Sequence, residues 1–329
     1  MQSSPYSATR DNLSCLRVEP CIDVPDLFQD VQDGLLTTPR SLPPKYFYDE
    51  RGSQLFDDIT KLPEYYPTET ELGIMRNNIG EIASLIGPQA SLIEYGSGSS
   101  LKTRVLLEHL IDQAVYVPVD ISEDHLLLSA RQIRREFPEL EVLPVVADFT
   151  QRFELPSPAV MPLRNIVYFP GSTIGNFPHA AACELLQVMY GEAGENGAML
   201  IGVDLQKDPA RIERAYNDSK GVTAEFNLNM LRHLNREYGT DFDLDSWKHD
   251  AHYNSSKGRV EIRLINANAQ TVNIGKDSVV IDAGEGILTE YSHKYTLEGF
   301  AEMAEGAGFQ VARVWTDEND LFSVQYCTR

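Results

Sequence analysis

The sequence predicts an α/β protein built around a doubly wound, mostly parallel β-sheet. From about residue 69 onward, short apolar runs alternate with stretches of helical periodicity. The apolar runs are residues 91–95, 115–119, 141–147, 165–169 and 198–203, and the helical stretches between them are 102–111, 122–137 and 179–190. Strands that alternate with helices in this way form βαβ units, whose strands lie parallel in one sheet.

After residue 204 the pattern changes and predicts an insertion, followed by a return to the sheet. The insertion comprises one or two helices over 210–238, a half-exposed strand over 259–265 and a hairpin over 271–281. A helix over 297–307 and strands over 310–315 and 321–327 then follow. We expect these two strands to close the sheet as an antiparallel hairpin.

The amino-terminal region precedes this pattern. Residues 1–20 are polar and contain two prolines, so we expect a flexible tail, and a helix follows over 26–36. Residues 41–70 are dense in aromatic side chains, namely Tyr46, Phe47, Tyr48, Phe56, Tyr65 and Tyr66. They either pack as a self-contained loop or cover a ligand as a lid.

The composition narrows the class of partner. The 329 residues are 42% hydrophobic and carry a formal net charge of −21, which disfavours a nucleic-acid partner because phosphate backbones require clustered Lys and Arg. No apolar run is long enough to span a membrane, and the first twenty residues lack a signal-peptide block, so we expect a soluble, cytoplasmic protein. The four cysteines form no metal-binding motif and are expected to be reduced, although Cys15 and Cys21 leave a disulfide open. We expect no metal.

A glycine-rich loop follows the first predicted strand. Gly96 and Gly98 leave room for a ligand to approach the backbone, and Asp120, at the end of the next strand, is suited to accept hydrogen bonds from ribose hydroxyls. A tight turn for the glycines and a helix cap for Asp120 are the alternative interpretations. Because ligands of doubly wound sheets bind at the carboxyl ends of the strands, a nucleoside site is predicted here.

Two further strand ends carry candidate binding residues. Asp148 and Phe149 follow the third strand, where the carboxylate is suited to accept from an adenine amino group and the ring to cover the base; an ordinary strand-end Asp is the alternative. The loop after the fourth strand contains Thr173 and Asn176, which are candidates to hold a second reactant, although a simple turn also fits.

Leu101 helps to choose between two nucleoside cofactors. A pyrophosphate-containing dinucleotide favours a small third residue at that position, and Leu101 is bulky. S-adenosylmethionine has no pyrophosphate, and its sulfonium cation is favoured beside carboxylates and aromatic faces. The sequence therefore favours S-adenosylmethionine, with a nicotinamide-dependent oxidoreductase and a non-catalytic S-adenosylmethionine-binding protein as competing interpretations.

With these residues in view, the chain closely resembles the histidine-specific Nα-methyltransferases of ergothioneine biosynthesis. The matching stretches include SLPPKYFYDERGSQLFDDITKLPEYYPTETE, IEYGSGSSLKTR, FPGSTIGNF, VDLQKDPARIERAYND, GVTAEFNLN, DFDL and LTEYSHKY. The resemblance implies a class I (Rossmann-like) methyltransferase domain, 69–204 with 295–329, and a second, substrate-binding α+β domain, 21–68 with 205–294. It also implies transfer of three methyl groups to the α-amine of free L-histidine, through its mono- and dimethylated forms, to give hercynine.

The resemblance also implies roles for individual residues. The cofactor would contact Tyr65, Gly96, Lys102, Asp120, Asp148 and Phe149. The amino acid would contact Tyr48, Phe56, Gly171, Thr173, Asn176, Tyr216, Glu290 and Ser292. In this assignment Asn176 and Tyr216 bind the α-carboxylate, while Glu290 and Ser292 bind the two imidazole nitrogens.

One position departs from the family. Ile262 stands where methionine often lines the imidazole pocket, so we expect a slightly reshaped pocket. Because related fungal enzymes methylate tryptophan derivatives, another amino acid is the alternative acceptor.

For the transfer itself we expect alignment to matter more than strong acid–base chemistry. Tyr48 and Asn176 are the catalytic candidates: they orient the amine, whose proton leaves to water or through Tyr48 as a weak base. We expect a monomer.

Overall fold

The structure is a computed structural model that describes residues 16–17, 27–98, 101–110, 112, 114–151 and 153–329. Its strands are β1 (Leu16–Arg17), β2 (Ala90–Tyr95), β3 (Val115–Asp120), β4 (Glu141–Val142), β5 (Val145–Val146), β6 (Arg164–Phe169), β7 (Ala198–Asp204), β8 (Trp247–Asn254), β9 (Arg259–Asn266), β10 (Gln270–Ile274), β11 (Asp277–Ile281), β12 (Gly286–His293), β13 (Gln310–Thr316) and β14 (Phe322–Thr328). Its α-helices are α1 (Leu27–Leu36), α2 (Glu50–Ile59), α3 (Tyr66–Ile86), α4 (Leu101–Leu107), α5 (Glu123–Glu136), α6 (His179–Ala193), α7 (Pro209–Tyr216), α8 (Val222–Tyr238) and α9 (Leu297–Gly306). Short 3₁₀ turns occur at Pro44–Phe47, Thr173–Asn176 and Leu244–Ser246.

The large sheet has the strand order β1-β5-β3-β2-β6-β7-β14-β13, with β4 also paired to β3. Strands β5, β3, β2, β6 and β7 are parallel, whereas β14 is antiparallel to both β7 and β13. Residues of β2 and β7 are buried along the whole strand because helices cover both faces. The predicted doubly wound sheet with its closing antiparallel hairpin is confirmed.

The chain runs outward from β2 in both directions, so the strand order switches between β2 and β6. Helices α6 and α9 supply apolar residues to the core on one face of the sheet, including Met189 and Phe300. Helices α3, α4 and α5 supply the core on the other face, including Met75 and Ile133. The loops after β2 and β6 therefore meet at one edge, where this fold class binds ligands.

A smaller α+β unit packs against that edge. It contains the antiparallel sheet β12-β9-β8 and the hairpin β10-β11, and its core also takes residues from α1, α2 and α8. Strands β8 and β12 were not predicted as strands, because polar residues interrupt their apolar alternation. Residue 41 joins this unit through a parallel bridge from Ser41 to Leu288, so the segment before α3 and the late insertion share one core.

Two residues of the expected amino-terminal tail form a strand. Leu16–Arg17 form β1, which pairs in parallel with Val145–Val146 at the sheet edge. The other residues of 1–20, which include Cys15, lie outside the described residues, and so does Cys21. Cys183 and Cys327 are free thiols. Within the described ranges, no helix is both long and apolar enough to cross a membrane.

The two units meet closely where the Thr173–Asn176 turn touches the end of β12. A Cβ atom on Gly175 would lie 2.7 Å from the His293 carbonyl oxygen and 3.2 Å from its amide nitrogen. The His293 Nδ1 also donates to the Gly175 carbonyl oxygen at 2.9 Å. Only a glycine permits this approach, since the obstacle is backbone.

We expect Gly175→Ala to lower the free energy of unfolding by about 1–3 kcal/mol, because the added methyl group must push the two backbones apart. Gly191→Ala is the matched control: Gly191 is an exposed residue of α6 with no heavy atom within 4 Å of its Cβ position. That change is expected to stabilise by about 0.5–1 kcal/mol. Denaturant unfolding of both variants measures the difference, and equal stabilities would contradict the account.

Candidate active site

Two adjoining pockets lie at the carboxyl ends of the sheet strands. The outer pocket, of about 430 Å³, is lined by Gly96, Gly98, Asp120, Asp148 and Phe149 together with residues of the 41–70 segment. The inner pocket, of about 70 Å³, is lined by Tyr48, Phe56, Gly171, Thr173, Asn176, Tyr216, Ile262, Glu290 and Ser292, with others. The structure thus brings the nine expected acceptor residues to one pocket and five of the seven expected cofactor residues to the other.

Four residues line both pockets and form a shared wall. They are Tyr48, Phe56, Thr173 and Asn176. Two come from the segment before α3 and two from the turn after β6, so both units of the fold build the wall. A molecule in the outer pocket and a molecule in the inner pocket would therefore both contact these four residues.

The glycine loop after β2 adopts the backbone conformation that glycine permits. Gly96 and Gly98 have φ values of 68° and 45°. A Cβ atom on Gly96 would lie 3.7 Å from the Phe149 ring, which also packs on Tyr95 with ring centroids 5.4 Å apart. Gly96 and Phe149 are therefore neighbours on the lining of the outer pocket, where the glycine leaves the backbone open to a ligand.

Asp120 ends β3 and Asp148 follows β5, and both line the outer pocket. Asp120 accepts from the Ser122 amide at 2.9 Å. Ser122 is itself the cap residue of α5, and no side chain caps that helix, so the capping interpretation of Asp120 is wrong. Burial raises the pKa of Asp120, while the amide donors oppose the rise. Asp148 accepts from the amide and hydroxyl of Thr150 through one oxygen only, Oδ1. Each carboxylate retains capacity to accept from a ligand.

Two residues expected at the cofactor lie elsewhere. Lys102 makes an ion pair with Glu71, with 2.5 Å between Nζ and Oε2, and the Glu71 carboxylate also accepts from the Gly171 amide at 2.9 Å. Lys102 therefore supports the loop after β6 and does not line the outer pocket. Tyr65 lines the inner pocket, where its ring meets Tyr216 edge-on at 6.1 Å. Cofactor contacts for both residues stay predictions.

The turn after β6 presents Asn176 to both pockets. Ser172, just before the turn, has φ 56°, an uncommon value for a residue with a side chain, and its Oγ accepts from the Asp204 amide at 2.9 Å. That bond anchors the turn to the end of β7. The Asn176 carboxamide makes no hydrogen bond to another described residue, so its donors and acceptor are available to ligands.

A β-bulge on β12 aims Glu290 into the inner pocket. The register passes from Leu288 opposite Arg263 directly to Glu290 opposite Ile262, so Thr289 is the extra residue. Its hydroxyl donates to Asn227 Oδ1 at 2.8 Å, which holds the bulge against α8. Ile262 and Glu290, which pair across the two strands, therefore both line the inner pocket.

Aromatic rings form the side of the pocket nearest the shared wall. Tyr48 and Phe56 meet edge-on at 6.0 Å, and Phe226 packs behind both at 5.9 and 6.0 Å. Burial, with the nearby Glu290 charge, raises the pKa of Tyr48 well above its ordinary value. The raised pKa favours the neutral phenol, which acts as a hydrogen-bonding group; this disfavours the weak-base role considered from the sequence, which stays a prediction.

Glu290 is a carboxylate without a hydrogen bond to another described residue. Burial raises its pKa to about 7, and the positive charge of Lys294 opposes that rise. Such a group gains most from a ligand that donates a hydrogen bond to it.

A buried polar cluster behind the pocket was missed from the sequence. Asp204, at the end of β7, accepts from Tyr66 at 2.9 Å and pairs with Lys207 and Lys294 at 2.5 and 2.6 Å. Burial lowers the pKa of Lys207 to about 8. The position of Asp204 after an apolar run was the available signal. Asp204, Lys294 and Glu290 line the inner pocket, so both signs of charge are present for a zwitterion.

The pKa of Glu290 leads to a pH-dependent stability. Because the folded pKa is raised from 4.5 to about 7, the carboxyl group favours folding below pH 4.5, and this contribution is lost as the pH rises through 7. In ligand-free protein, the stability of Glu290→Gln relative to wild type should rise by about 1–3 kcal/mol between pH 4.5 and pH 8. Thermal unfolding across this range measures it. Glu302→Gln, on the exposed face of α9, is the control, and parallel curves for both variants would refute the assignment.

Known proteins resemble this chain over nearly its whole length. Residues 27–329 match the family described as histidine-specific, SAM-dependent methyltransferases. A histidine N-alpha-methyltransferase of Mycobacterium tuberculosis is 40% identical over 92% of this chain and 95% of that protein. Ergothioneine biosynthesis protein 1 of Neurospora crassa is 34% identical over 86% of this chain, which spans only 32% of that longer protein. A 4-dimethylallyltryptophan N-methyltransferase of Claviceps purpurea is 26% identical over 88% of this chain and 91% of that protein.

The matched residues contain both pockets and the shared wall between them. This chain belongs to the histidine-specific, S-adenosylmethionine-dependent methyltransferases.

Proposed function

We propose that the protein transfers three methyl groups from S-adenosylmethionine to the α-amino group of free L-histidine, giving hercynine for ergothioneine biosynthesis. The observation that carries this proposal is the shared wall of Tyr48, Phe56, Thr173 and Asn176 between a larger and a smaller pocket. Because both reactants would contact the same four residues, these residues can align the amine with the methyl group for an in-line displacement.

The outer pocket suits S-adenosylmethionine. Phe149 is placed to cover a flat base, Asp148 to accept from an amino group on that base, and Asp120 to accept from ribose hydroxyls. When bound, this cofactor supplies an electrophilic methyl group on a sulfonium cation. The aromatic rings of the shared wall favour such a cation.

The inner pocket suits the zwitterionic amino acid. Asn176 donates to the α-carboxylate, which Tyr216 also contacts, and Tyr48 with Asn176 orients the α-amine at the wall. Glu290 and Ser292, two residues apart on β12, face the imidazole ring. A pocket that hydrogen-bonds both ring nitrogens rejects apolar amino acids, because its buried polar groups would then be left unpaired.

The reacting amine must be neutral before each transfer. Since Tyr48 retains its own proton, the amine proton leaves to water, and Tyr48 contributes orientation. As methyl groups accumulate, the head group becomes a quaternary ammonium. The rings of Tyr48 and Phe56 then stabilise it by cation–π contact.

We further propose that the enzyme works as a monomer in the cytoplasm on a small-molecule substrate. The net charge of −21 disfavours a nucleic-acid partner. The cytoplasmic assignment rests on cysteines expected to be reduced, of which Cys183 and Cys327 are free.

An alternative acceptor is tryptophan or a derivative, as the name of the Claviceps purpurea relative indicates for that protein. Glu290 and Ser292 favour histidine, because an indole offers one ring N–H and no ring lone pair to match a carboxylate and a hydroxyl. Ile262, branched at Cβ and paired with Glu290 across the strands, is the residue whose shape bears on this choice.

Mass spectrometry of the twenty amino acids incubated with enzyme and S-adenosylmethionine tests the proposal. We expect histidine to gain one, two and then three methyl groups while the other amino acids stay unchanged.

Asn176→Ala is expected to remove most of this activity while leaving the affinity for S-adenosylhomocysteine within about twofold, since the Asn176 amide binds the acceptor. Methylation of tryptophan in preference to histidine would favour the alternative, and no methylation at all would sink the proposal.

A further inference from the structure

Lys294 lies directly after β12, two residues beyond Ser292, and its side chain is 1% exposed. Its Nζ is 2.6 Å from Asp204 Oδ2, 2.8 Å from the Tyr216 hydroxyl and 2.8 Å from Ser292 Oγ. An ammonium group has three N–H donors, and these three partners use all of them. Lys294 therefore has no donor left for a bound molecule, although it borders the inner pocket.

The two hydroxyl groups that Lys294 contacts also bond to each other, with 2.7 Å between their oxygens. Each oxygen accepts from Lys294, and one of the two hydroxyls donates to the other. Two hydroxyl groups carry two protons, so one proton remains unused within the cluster. Because Tyr216 and Ser292 both line the inner pocket, that remaining proton is available to a bound molecule.

Without Lys294 the same hydroxyls would be free to rotate and to accept from a ligand as readily as donate. The ammonium group limits this freedom by occupying one lone pair on each oxygen. With the bond between the two hydroxyls, only one of their four lone pairs is left beside the one free proton. Asp204 holds the ammonium in place, and Asp204 is itself fixed by Tyr66 and Lys207. Lys294 thereby biases this side of the pocket toward donating a hydrogen bond.

Glu290 supplies the complementary group. Its carboxylate is an acceptor when ionised and lies two residues before Ser292 on the same strand. The pocket then presents one donor and one acceptor to the acceptor side chain. A neutral imidazole matches this pair, since one nitrogen carries a proton and the other a lone pair.

We propose that Lys294 is a positioning residue that orients the Tyr216 and Ser292 hydroxyls as donors and so makes the inner pocket selective for a ring with both an N–H and a nitrogen lone pair. This inference rests on the proposed function and deepens it. It assigns acceptor selectivity to a residue that touches the acceptor only through its neighbours.

The test compares the affinities of L-histidine and β-(2-thienyl)-L-alanine, whose ring is similar in size but has no nitrogen. Calorimetric titrations are made on protein saturated with S-adenosylhomocysteine. In Lys294→Met the preference for histidine should fall roughly tenfold, the usual scale for a lost buried hydrogen bond. Lys248→Met, at an exposed position of β8, should keep the wild-type preference.

A double-mutant cycle separates positioning from a structural role. If Lys294 acts through the hydroxyls, Lys294→Met should cost much less of the histidine preference in a Ser292→Ala background than in wild type. Equal weakening of both ligands, or fully additive effects, would overturn the proposal.

Two checks keep the outcomes distinct. If Lys294→Met no longer binds S-adenosylhomocysteine, Lys294→Gln replaces it. Its amide has two donors in place of three, so one of Asp204, Tyr216 and Ser292 loses its partner, and the loss of the positive charge weakens the remaining contacts. The preference for histidine should therefore still fall, and an unchanged preference in that variant overturns the proposal. Wild-type protein that binds no histidine overturns the proposed function as well, whereas wild-type binding with an unchanged ratio in the variants overturns this inference alone.

Discussion

The contact between the Thr173–Asn176 turn and the end of β12 is the constraint on which the site depends. Gly175 lets the two backbones approach, and the bond from His293 to its carbonyl oxygen fixes their spacing. The turn belongs to the parallel sheet, whereas β12 belongs to the smaller unit and carries Glu290 and Ser292. This close approach joins the turn and β12, which are more than a hundred residues apart in the sequence. As a result, Asn176 and Glu290 face the same pocket.

The same junction collects buried charge, which is costly unless each group is paired. Asp204 meets this requirement with two lysines and a tyrosine hydroxyl, and Glu71 does so with Lys102 and the Gly171 amide. Glu290 is the exception, since its carboxyl group has no hydrogen bond from the described residues and its pKa rises to about 7. A ligand that donates a hydrogen bond to this carboxyl group therefore gains binding free energy there.

The sequence was most informative where function follows from local position. Gly96, Gly98 and Asp120 stand at strand ends, so periodicity alone placed them together, and the strand order confirmed the fold. It was least informative where placement depends on long-range packing. Lys102 turns to Glu71, Tyr65 lies in the inner pocket, and β12 owes its geometry to a bulge that no hydrophobic pattern reveals. No sequence pattern points to Lys294, because its role depends on contacts with three partners that only the fold brings together. The two-domain division remains a proposal, supported by separate cores.

The central claim is that the acceptor amine and the methyl group meet across the wall of Tyr48, Phe56, Thr173 and Asn176. A crystal structure with S-adenosylhomocysteine and L-histidine tests it most directly. We expect the histidine α-nitrogen to face the cofactor sulfur at a distance of about 5 Å, which a single methyl carbon can bridge. The imidazole ring should lie between Glu290 and Ser292. Histidine bound with its ring toward the sulfur, or outside the inner pocket, would contradict the account.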